Sequence, residues 1–372
     1  MLLAGLVLLV VGAEALVRGA SKIAAAVGIS PLVIGLTVVA FGTSAPEMAV
    51  GAQAALAGNG DIALGNVIGS NIFNILVIIG LSAVIIPLVV HQQLVRWDVP
   101  LVIVLSVLVL LLGLDGKLGR IEGALLFLGL LAYIGFQIWQ GRKETEEVQQ
   151  EYAQEYGDGR AKGARQWGLN LFLLIAGLGM LVLGADWLVD SASAIARSLG
   201  VSELVIGLTI IAAGTSAPEV ATSAMAAVRG ERDIAVGNAV GSNVFNILGV
   251  LGLTAVLAPN GIAVPESALR FDIPVMIAVA VAALPIFFTG YTIARWEGAL
   301  FLALYGGYVL FLLLDAIGHW SLTYYSNVML LFVIPITGLT LAVLAVREYQ
   351  ARRNGRTAAQ QPSGEDPPHT SG

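Results

Sequence analysis

Apolar runs alternate with short polar interruptions along almost the whole chain. Most runs approach the roughly 20 residues that a helix needs to cross a bilayer. They predict eleven membrane spans, at about 2–25, 31–56, 62–88, 98–114, 121–139, 167–194, 202–228, 234–258, 271–289, 296–314 and 326–346. A single long polar stretch, "GRKETEEVQQEYAQEYGDGRAKGARQ" within 140–166, separates the fifth span from the sixth. The tail after Arg347 is rich in Arg, Gln, Ser and Pro, a composition that predicts disorder. The first run has no basic leading segment and has a counterpart in mid-chain, so it reads as a span and not as a signal peptide.

The pattern is also duplicated. "GLTVVAFGTSAPE" (Gly35–Glu47) returns as "GLTIIAAGTSAPE" (Gly207–Glu219), an offset of 172. The same offset carries Gly12-Ala13-Glu14 onto Gly184-Ala185-Asp186, Gly28 onto Gly200, and "DIALGNVIGSNIFNIL" (Asp61–Leu76) onto "DIAVGNAVGSNVFNIL" (Asp233–Leu248). Later the offset drifts, and "RIEGAL" at Arg120 aligns with "RWEGAL" at Arg295. The expected organisation is a first repeat of five spans over 1–139 (motif 35–76), a cytoplasmic loop over 140–166 and a second repeat over 167–315 (motif 207–248). An extra transmembrane helix over 316–346 and a tail over 347–372 complete it. Five is odd, so the two repeats enter the membrane from opposite sides, an architecture typical of secondary transporters. The fold class predicted is therefore an all-α integral membrane protein: two inverted five-helix repeats forming a ten-helix core, plus one C-terminal helix.

Composition agrees. Hydrophobic residues make up 57% of the 372 and charged residues 12%, against about 25% charged in soluble domains. The absence of cysteine excludes disulfides and thiolate metal sites. The net charge of −6 lies largely in loops and tail and points to no nucleic-acid partner. With the N-terminus outside, 15 of the 19 Lys and Arg fall on the cytoplasmic side, as the positive-inside bias requires.

Pro46 and Pro218 then stand where a helix breaker is least expected. Proline has no N–H to donate and crowds the preceding turn, so carbonyls near Gly42 and Thr43 lose their helical partners. In hydrocarbon such groups persist only where a cavity or a bound ion satisfies them. Ala40, Thr43, Ser44 and Glu47 follow i, i+3, i+4, i+7 spacing and share one helix face. That face is all oxygen, which suits hard cations such as Ca²⁺. Ala212, Thr215, Ser216 and Glu219 repeat it. The following spans add stripes at i, i+4 spacing: Asn66, Ser70 and Asn74, then Asn238, Ser242 and Asn246. Gly65 and Gly69, like Gly237 and Gly241, predict close helix packing. Two breaks and two stripes related by a pseudo-two-fold axis would meet near the midplane. Their paired glutamates would balance one divalent cation or take monovalent ones in turn.

The remaining charged residues have simpler readings. Arg18 lies i+4 from Glu14, predicting a local ion pair. Asp186 has no such cation but lies near Asp190, which suggests a wet cavity. Asp98, Asp272, Glu122 and Glu297 lie at span ends and read as interfacial, while His91, His319 and His369 fall outside the repeated motifs, where solvated or interfacial positions suffice for them. Gly58-Asn59-Gly60 reads as a turn.

"GTSAPE" followed by "GNVIGSNIFNI", and again "GTSAPE" followed by "GNAVGSNVFNI", resembles the doubled signature of the calcium/cation antiporter superfamily, and within it the prokaryotic sodium/calcium exchangers. The resemblance covers the first ten spans. It implies Glu47 and Glu219 at the centre of the ion site, with Thr43 and Thr215 giving backbone carbonyls to Ca²⁺. It further implies Ala40, Ser44, Ser70, Ala212, Ser216 and Ser242 as Na⁺ ligands, Asn74 as a central polar residue, and sliding of the first and sixth spans across the core. Several sodium exchangers carry Asp where this chain has Asn246, whereas related proton/calcium exchangers carry Asn. The eleventh span lies outside the family's ten-span core, and the 140–166 loop is too short for the calcium-sensing domains of animal exchangers.

The function expected is secondary antiport of Ca²⁺ against Na⁺ by alternating access in the cell membrane. A proton/calcium exchanger is the alternative and a cation channel, which would more naturally be a symmetric oligomer, the remote one. An enzyme is disfavoured because no base accompanies Ser44 or Ser216. The expected partners are the two transported ions and the bilayer, with no cofactor, nucleic acid or obligate protein partner. A topology reporter fused after Arg347, and one inserted near Glu155, should both read as cytoplasmic. An external signal from either would overturn the orientation.

Overall fold

The computed structural model describes residues 1–27, 30–58, 60–141, 164–198 and 212–339, with scattered positions from 342 to 350. The first half of the predicted seventh span, most of the 140–166 loop and the tail, with His369, lie outside the described residues, as do Gly28, Gly200 and Asn59.

Among the described residues nine helices are long and apolar enough to cross a membrane, and a bent pair makes a tenth. In chain order they are α1 (Leu2–Val27), the bent pair α2 (Pro31–Thr43) and α3 (Ala45–Leu56), α4 (Ile62–Ile85), α5 (Leu94–Asp115), α6 (Arg120–Gly141) and α7 (Ala164–Ser198). Then come the short α8 (Ala212–Thr215), α9 (Ala217–Arg229), α10 (Arg232–Leu257), α11 (Ala268–Phe288), α12 (Arg295–Ala316) and α13 (Leu322–Leu344). These segments are helical because helix satisfies every backbone group within the segment, which hydrocarbon demands. The chain is an all-α integral membrane protein.

α4 and α10 form the centre: 72% and 83% of their spanning windows are buried, against 28% for α6 and 17% for α12. That is the expected contrast between helices walled by protein and helices facing lipid. Glycine sets how closely the layers approach. A Cβ on Gly12 of α1 would stand 2.9 Å from the Gly177 carbonyl oxygen of α7, and one on Gly177 would stand 2.8 Å from that of Gly12. Gly5 and Gly184 repeat the contact one level away, so α1 and α7 run antiparallel in backbone contact. Gly237 and Gly241 of α10 meet Leu32 and Leu36 of α2 as their spacing predicts. Gly65 and Gly69 meet nothing within 4 Å among the described residues. Their equivalents of Leu32 and Leu36 would be residues 204 and 208, which are not described.

Two small antiparallel ladders tie the halves together outside the helices. β1 (Leu88–Val89) pairs with β4 (Thr292–Ile293), and β2 (Lys117–Leu118) with β3 (Ile262–Ala263). In each, the connector after a third span of one half meets the connector after a fourth span of the other. α13 rests against α12 through the Tyr325 hydroxyl, which donates to the Gly307 carbonyl at 2.6 Å.

Gly177→Val places a branched side chain against the α1 backbone, an overpacking that typically costs about 1–3 kcal/mol. The variant should lose thermal stability in detergent by several degrees. Gly179→Ala, where a Cβ meets nothing within 4 Å, should not. Equal melting of the two variants would refute the close-packed α1–α7 seam.

Candidate functional site

The break between α2 and α3 comes at Ser44, which has φ −81° and ψ 5° and leaves the helical region just before Pro46. The two segments meet at 43°. The helical ladder resumes with Met48 N–H donating to the Ser44 carbonyl at 3.1 Å. The second break is alike: Ser216 has φ −89° and ψ 9°, and Val220 N–H donates to its carbonyl at 3.1 Å. Each break sets a glutamate in the first turn of the next helix, where the helix N-terminus favours a carboxylate.

Glu47 and Glu219 are both 1% exposed. The breaks are cross-linked: Ser44 Oγ donates to Glu219 Oε1 and Ser216 Oγ to Glu47 Oε1, both at 3.4 Å. Each half thus supplies the hydroxyl for the other half's acid. Ser216 Oγ also lies 3.3 Å from Ser70 Oγ of α4. Thr43 donates to Asn238 Oδ1 at 3.1 Å, and Asn238 donates to Ser223 Oγ at 2.9 Å and to the Glu219 carbonyl at 3.3 Å. The structure therefore brings Thr43, Ser44, Glu47, Ser70, Ser216 and Glu219 into one buried cluster. Ala40 lies just beneath it, its carbonyl accepting from Ser44 N–H at 3.0 Å and from the Thr43 hydroxyl at 3.4 Å. Ala212 and Thr215 bound the short helix that leads into the second break.

The stripes on α4 and α10 form the adjoining wall. Asn74 Nδ2 donates to Asn243 Oδ1 at 3.1 Å, Asn246 Nδ2 to Asn71 Oδ1 at 3.2 Å, and Asn71 Nδ2 to the Asn243 carbonyl at 3.4 Å. Asn71 and Asn243 are the residues that the sequence pattern left out. Their signal was the repeated "SN" pair, since each lies three residues before the asparagine that was singled out and so shares its face. Both helices pass into π-helix at that asparagine, over Asn74–Ile79 and Asn246–Leu251. Such single-turn insertions recur at functional sites.

These bonds leave a defined set of oxygens unpaired. Glu47 Oε2, Glu219 Oε2, Asn74 Oδ1, Asn246 Oδ1 and Ser242 Oγ are all buried with no hydrogen-bond partner among the described residues. An unpaired buried polar atom costs about 1–3 kcal/mol, more when charged. All five lie on α3, α4, α9 and α10, the segments that carry the acids and the adjoining wall. Among the described residues no three His, Cys, Asp or Glu come together, so the negative charge here is that of two carboxylates. The two serine positions differ, for Ser70 is engaged by Ser216 while Ser242 is unpaired.

Other charged residues lie apart. Glu14 pairs with Arg18, as its spacing predicts, and also with Arg229 at the end of α9, a contact no local pattern announces. Asp186 and Asp190 are exposed on α7. Asp98 and Glu297 lie at span ends as expected but are buried by protein and not open to water. Asp98 is 1% exposed, accepting from Tyr133 at 3.2 Å and from Gln137. Glu297, 3% exposed, accepts from Ala294 N–H at 2.8 Å and caps α12. His91 lies 3.4 Å from Asp233, and His319 bonds Ser321 at 2.7 Å.

Comparison with known proteins points the same way. The profile of the family described as "Sodium/calcium exchanger protein" matches residues 1–139 and 169–314. The chain is 41% identical to the putative antiporter CaxA of Alkalimonas amylolytica over 76% of its length and 87% of that protein's. It is 32% identical to the sodium/calcium exchanger MaX1 of Methanosarcina acetivorans over 84% of its length and 97% of that protein's. Among solved structures it is similar to the sodium-calcium exchanger NCX_Mj soaked with Na⁺ and no Ca²⁺, with a TM-score of 0.70 and 32% identity over 82–86% of this chain in that and related soaks. A doubled GTSAPE break with facing acids, in a chain matched along nearly all of both halves, places this protein in the sodium/calcium exchanger family.

Proposed function

We propose that the protein exchanges Ca²⁺ against Na⁺ across the cell membrane by alternating access, with Glu47 and Glu219 as the central ion ligands. The observation that carries this reading is the buried pair of carboxylates, each with one unpaired oxygen, supplied by two broken helices. Two carboxylates neutralise one Ca²⁺, and in its absence the same oxygens accept Na⁺. Carbonyls at Thr43 and Thr215 complete the Ca²⁺ shell. Na⁺ is held to either side by Ala40, Ser44 and Ser70, and by Ala212, Ser216 and Ser242. Asn74 and Asn246 supply neutral oxygens between them.

The exchanged serine–glutamate bonds and the two exchanged ladders support an inverted repeat over 1–139 and 167–315, with α13 an addition to that core. In this reading the N-terminus is outside and the C-terminus cytoplasmic. The proton-coupled alternative is favoured by one feature: Asn246 stands where several sodium exchangers carry Asp and related proton/calcium exchangers carry Asn.

Glu47→Gln or Glu219→Gln removes a charge with little change of shape. Either should cut Ca²⁺ uptake into proteoliposomes by at least about 100-fold, equivalent to about 2.7 kcal/mol, while the protein extracts and melts normally. Wild-type uptake in either variant refutes the assignment.

The coupling ion is tested by Ca²⁺ flux at fixed pH with choline replacing Na⁺ on both sides. Exchange should collapse, and undiminished flux driven by a pH step would establish the proton-coupled reading instead. Ser242→Ala removes a hydroxyl that no group among the described residues uses, so it should weaken Na⁺ dependence several-fold and more than Ser70→Ala does. The opposite order would show that the two sodium positions are assigned the wrong way round.

A further inference from the structure

Asp98 is a buried acid that the exchange site does not use. It closes a π-helical turn, Leu94–Asp98, at the start of α5. Its Oδ1 accepts from Tyr133 and Gln137 of α6, and Gln137 is fixed in turn by Gln93 at 2.8 Å. Its Oδ2 is buried and has no partner among the described residues. Asp98 lines a cavity of about 550 Å³ between α5 and α6, walled by Leu101, Val104, Leu105, Ala132 and Leu248. Arg96 stands at the same cavity, exposed and without an ion-pair partner among the described residues. Trp97, Phe136 and Trp139 form an aromatic chain beside it, with centroids 6.0 and 6.2 Å apart, and Trp97 and Trp139 are more than half exposed. Aromatic rings of this kind mark the level of lipid headgroups.

The second half repeats the backbone without the site. "RWDVP" (Arg96–Pro100) corresponds to "RFDIP" (Arg270–Pro274), and Ala268–Asp272 is again π-helical. There Arg270 is neutralised by Glu266 at 2.5 Å, where the first half has Gln92. Phe271 stacks on Phe311 at 4.3 Å, where their counterparts Trp97 and Phe136 meet edge to face at 6.0 Å. The positions of Gln93 and Gln137 are taken by Ser267 and Leu312, so Asp272 has no amide cradle. One half thus presents a free cation, a cradled carboxylate with a spare oxygen and an open apolar wall.

We propose that this groove binds a zwitterionic phospholipid with a primary ammonium headgroup. Its ammonium donates to Asp98 Oδ2, its phosphate pairs with Arg96, and an acyl chain lies along Leu101, Val104 and Leu105. The charges are complementary to a headgroup that carries a phosphate and a primary amine. A metal ion would find one carboxylate among the described residues that line the cavity. A soluble ligand would have no use for the apolar wall.

The probes are phosphatidylethanolamine, phosphatidylcholine and phosphatidylglycerol with identical acyl chains, titrated onto the detergent-purified full chain and read by native mass spectrometry. The wild-type protein should hold the ethanolamine lipid roughly tenfold more tightly than the choline lipid, whose trimethylated nitrogen cannot donate a charge-assisted hydrogen bond. Asp98→Asn should abolish that preference, Arg96→Gln should weaken both lipids together, and Asp272→Asn should change nothing. Equal binding of the ethanolamine and choline lipids by the wild type would overturn the proposal whether or not any variant folds. So would a preference for the glycerol lipid, or an ethanolamine preference that survives in Asp98→Asn.

Discussion

A helix interrupted in hydrocarbon exposes polar groups that no water can satisfy, and the architecture of this protein answers that constraint twice over. Pro46 and Pro218 force the interruption, and Ser44 and Ser216 carry the chain around it. The exposed groups can be met only from neighbouring helices, so α4 and α10 must lie against the breaks with polar residues turned inward. Close approach is set by glycine: Gly237 and Gly241 have no side chain to hold α10 off the α2 backbone. The lipid-facing helices, α6 and α12 among them, need only be apolar and long.

Neither half can complete the site alone. Ser44 serves Glu219 and Ser216 serves Glu47, while Asn71 and Asn243 join α4 to α10 through both side-chain and backbone groups. The arrangement holds two acids in one buried cluster, and no cation among the described residues pairs with either. A protein built only for stability would have paired those carboxylates with Arg or Lys, since an uncompensated buried charge is strongly destabilising. In the exchange proposed here, leaving them to be neutralised by the transported ions couples the energy of the site to its occupant.

Much of this was legible in the residues because the physical demand was local. The spans follow from run length, the break from proline, and the Glu14–Arg18 pair from i+4 spacing. The paired glutamates and the Asn/Ser stripes follow from helical periodicity and duplication. What was not legible depends on packing between distant segments. Asp98 sits at a span end, where a carboxylate is ordinarily wet. It is buried because Tyr133 and Gln137, 35 and 39 residues away in sequence, close over it. Arg229 reaches Glu14 across 215 positions. The π-helical turns at Asn74 and Asn246 leave no mark in a pattern whose apolar residues suit any helical period.

The halves agree at the centre and diverge at the rim, and that division follows from the chemistry proposed for the centre. An ion bound between two equivalent breaks experiences both at once, so GTSAPE and its asparagine stripe have little freedom to drift apart. The rim has no such tie. α1 is held to the end of α9 by Glu14–Arg229 and by Ser21 donating to Glu231 at 2.9 Å. The corresponding acid on α7, Asp186, is exposed, and the position corresponding to Arg229 is Ala57. If α1 and α7 slide together over the core, as their glycine seam allows, α1 must break an ion pair that α7 does not have. Partly exposed pairs contribute only about 0–1 kcal/mol, too little to lock the molecule but enough to make its two ends unequal. A symmetric site in an asymmetric frame can therefore bind the same ions from either side while favouring one resting state.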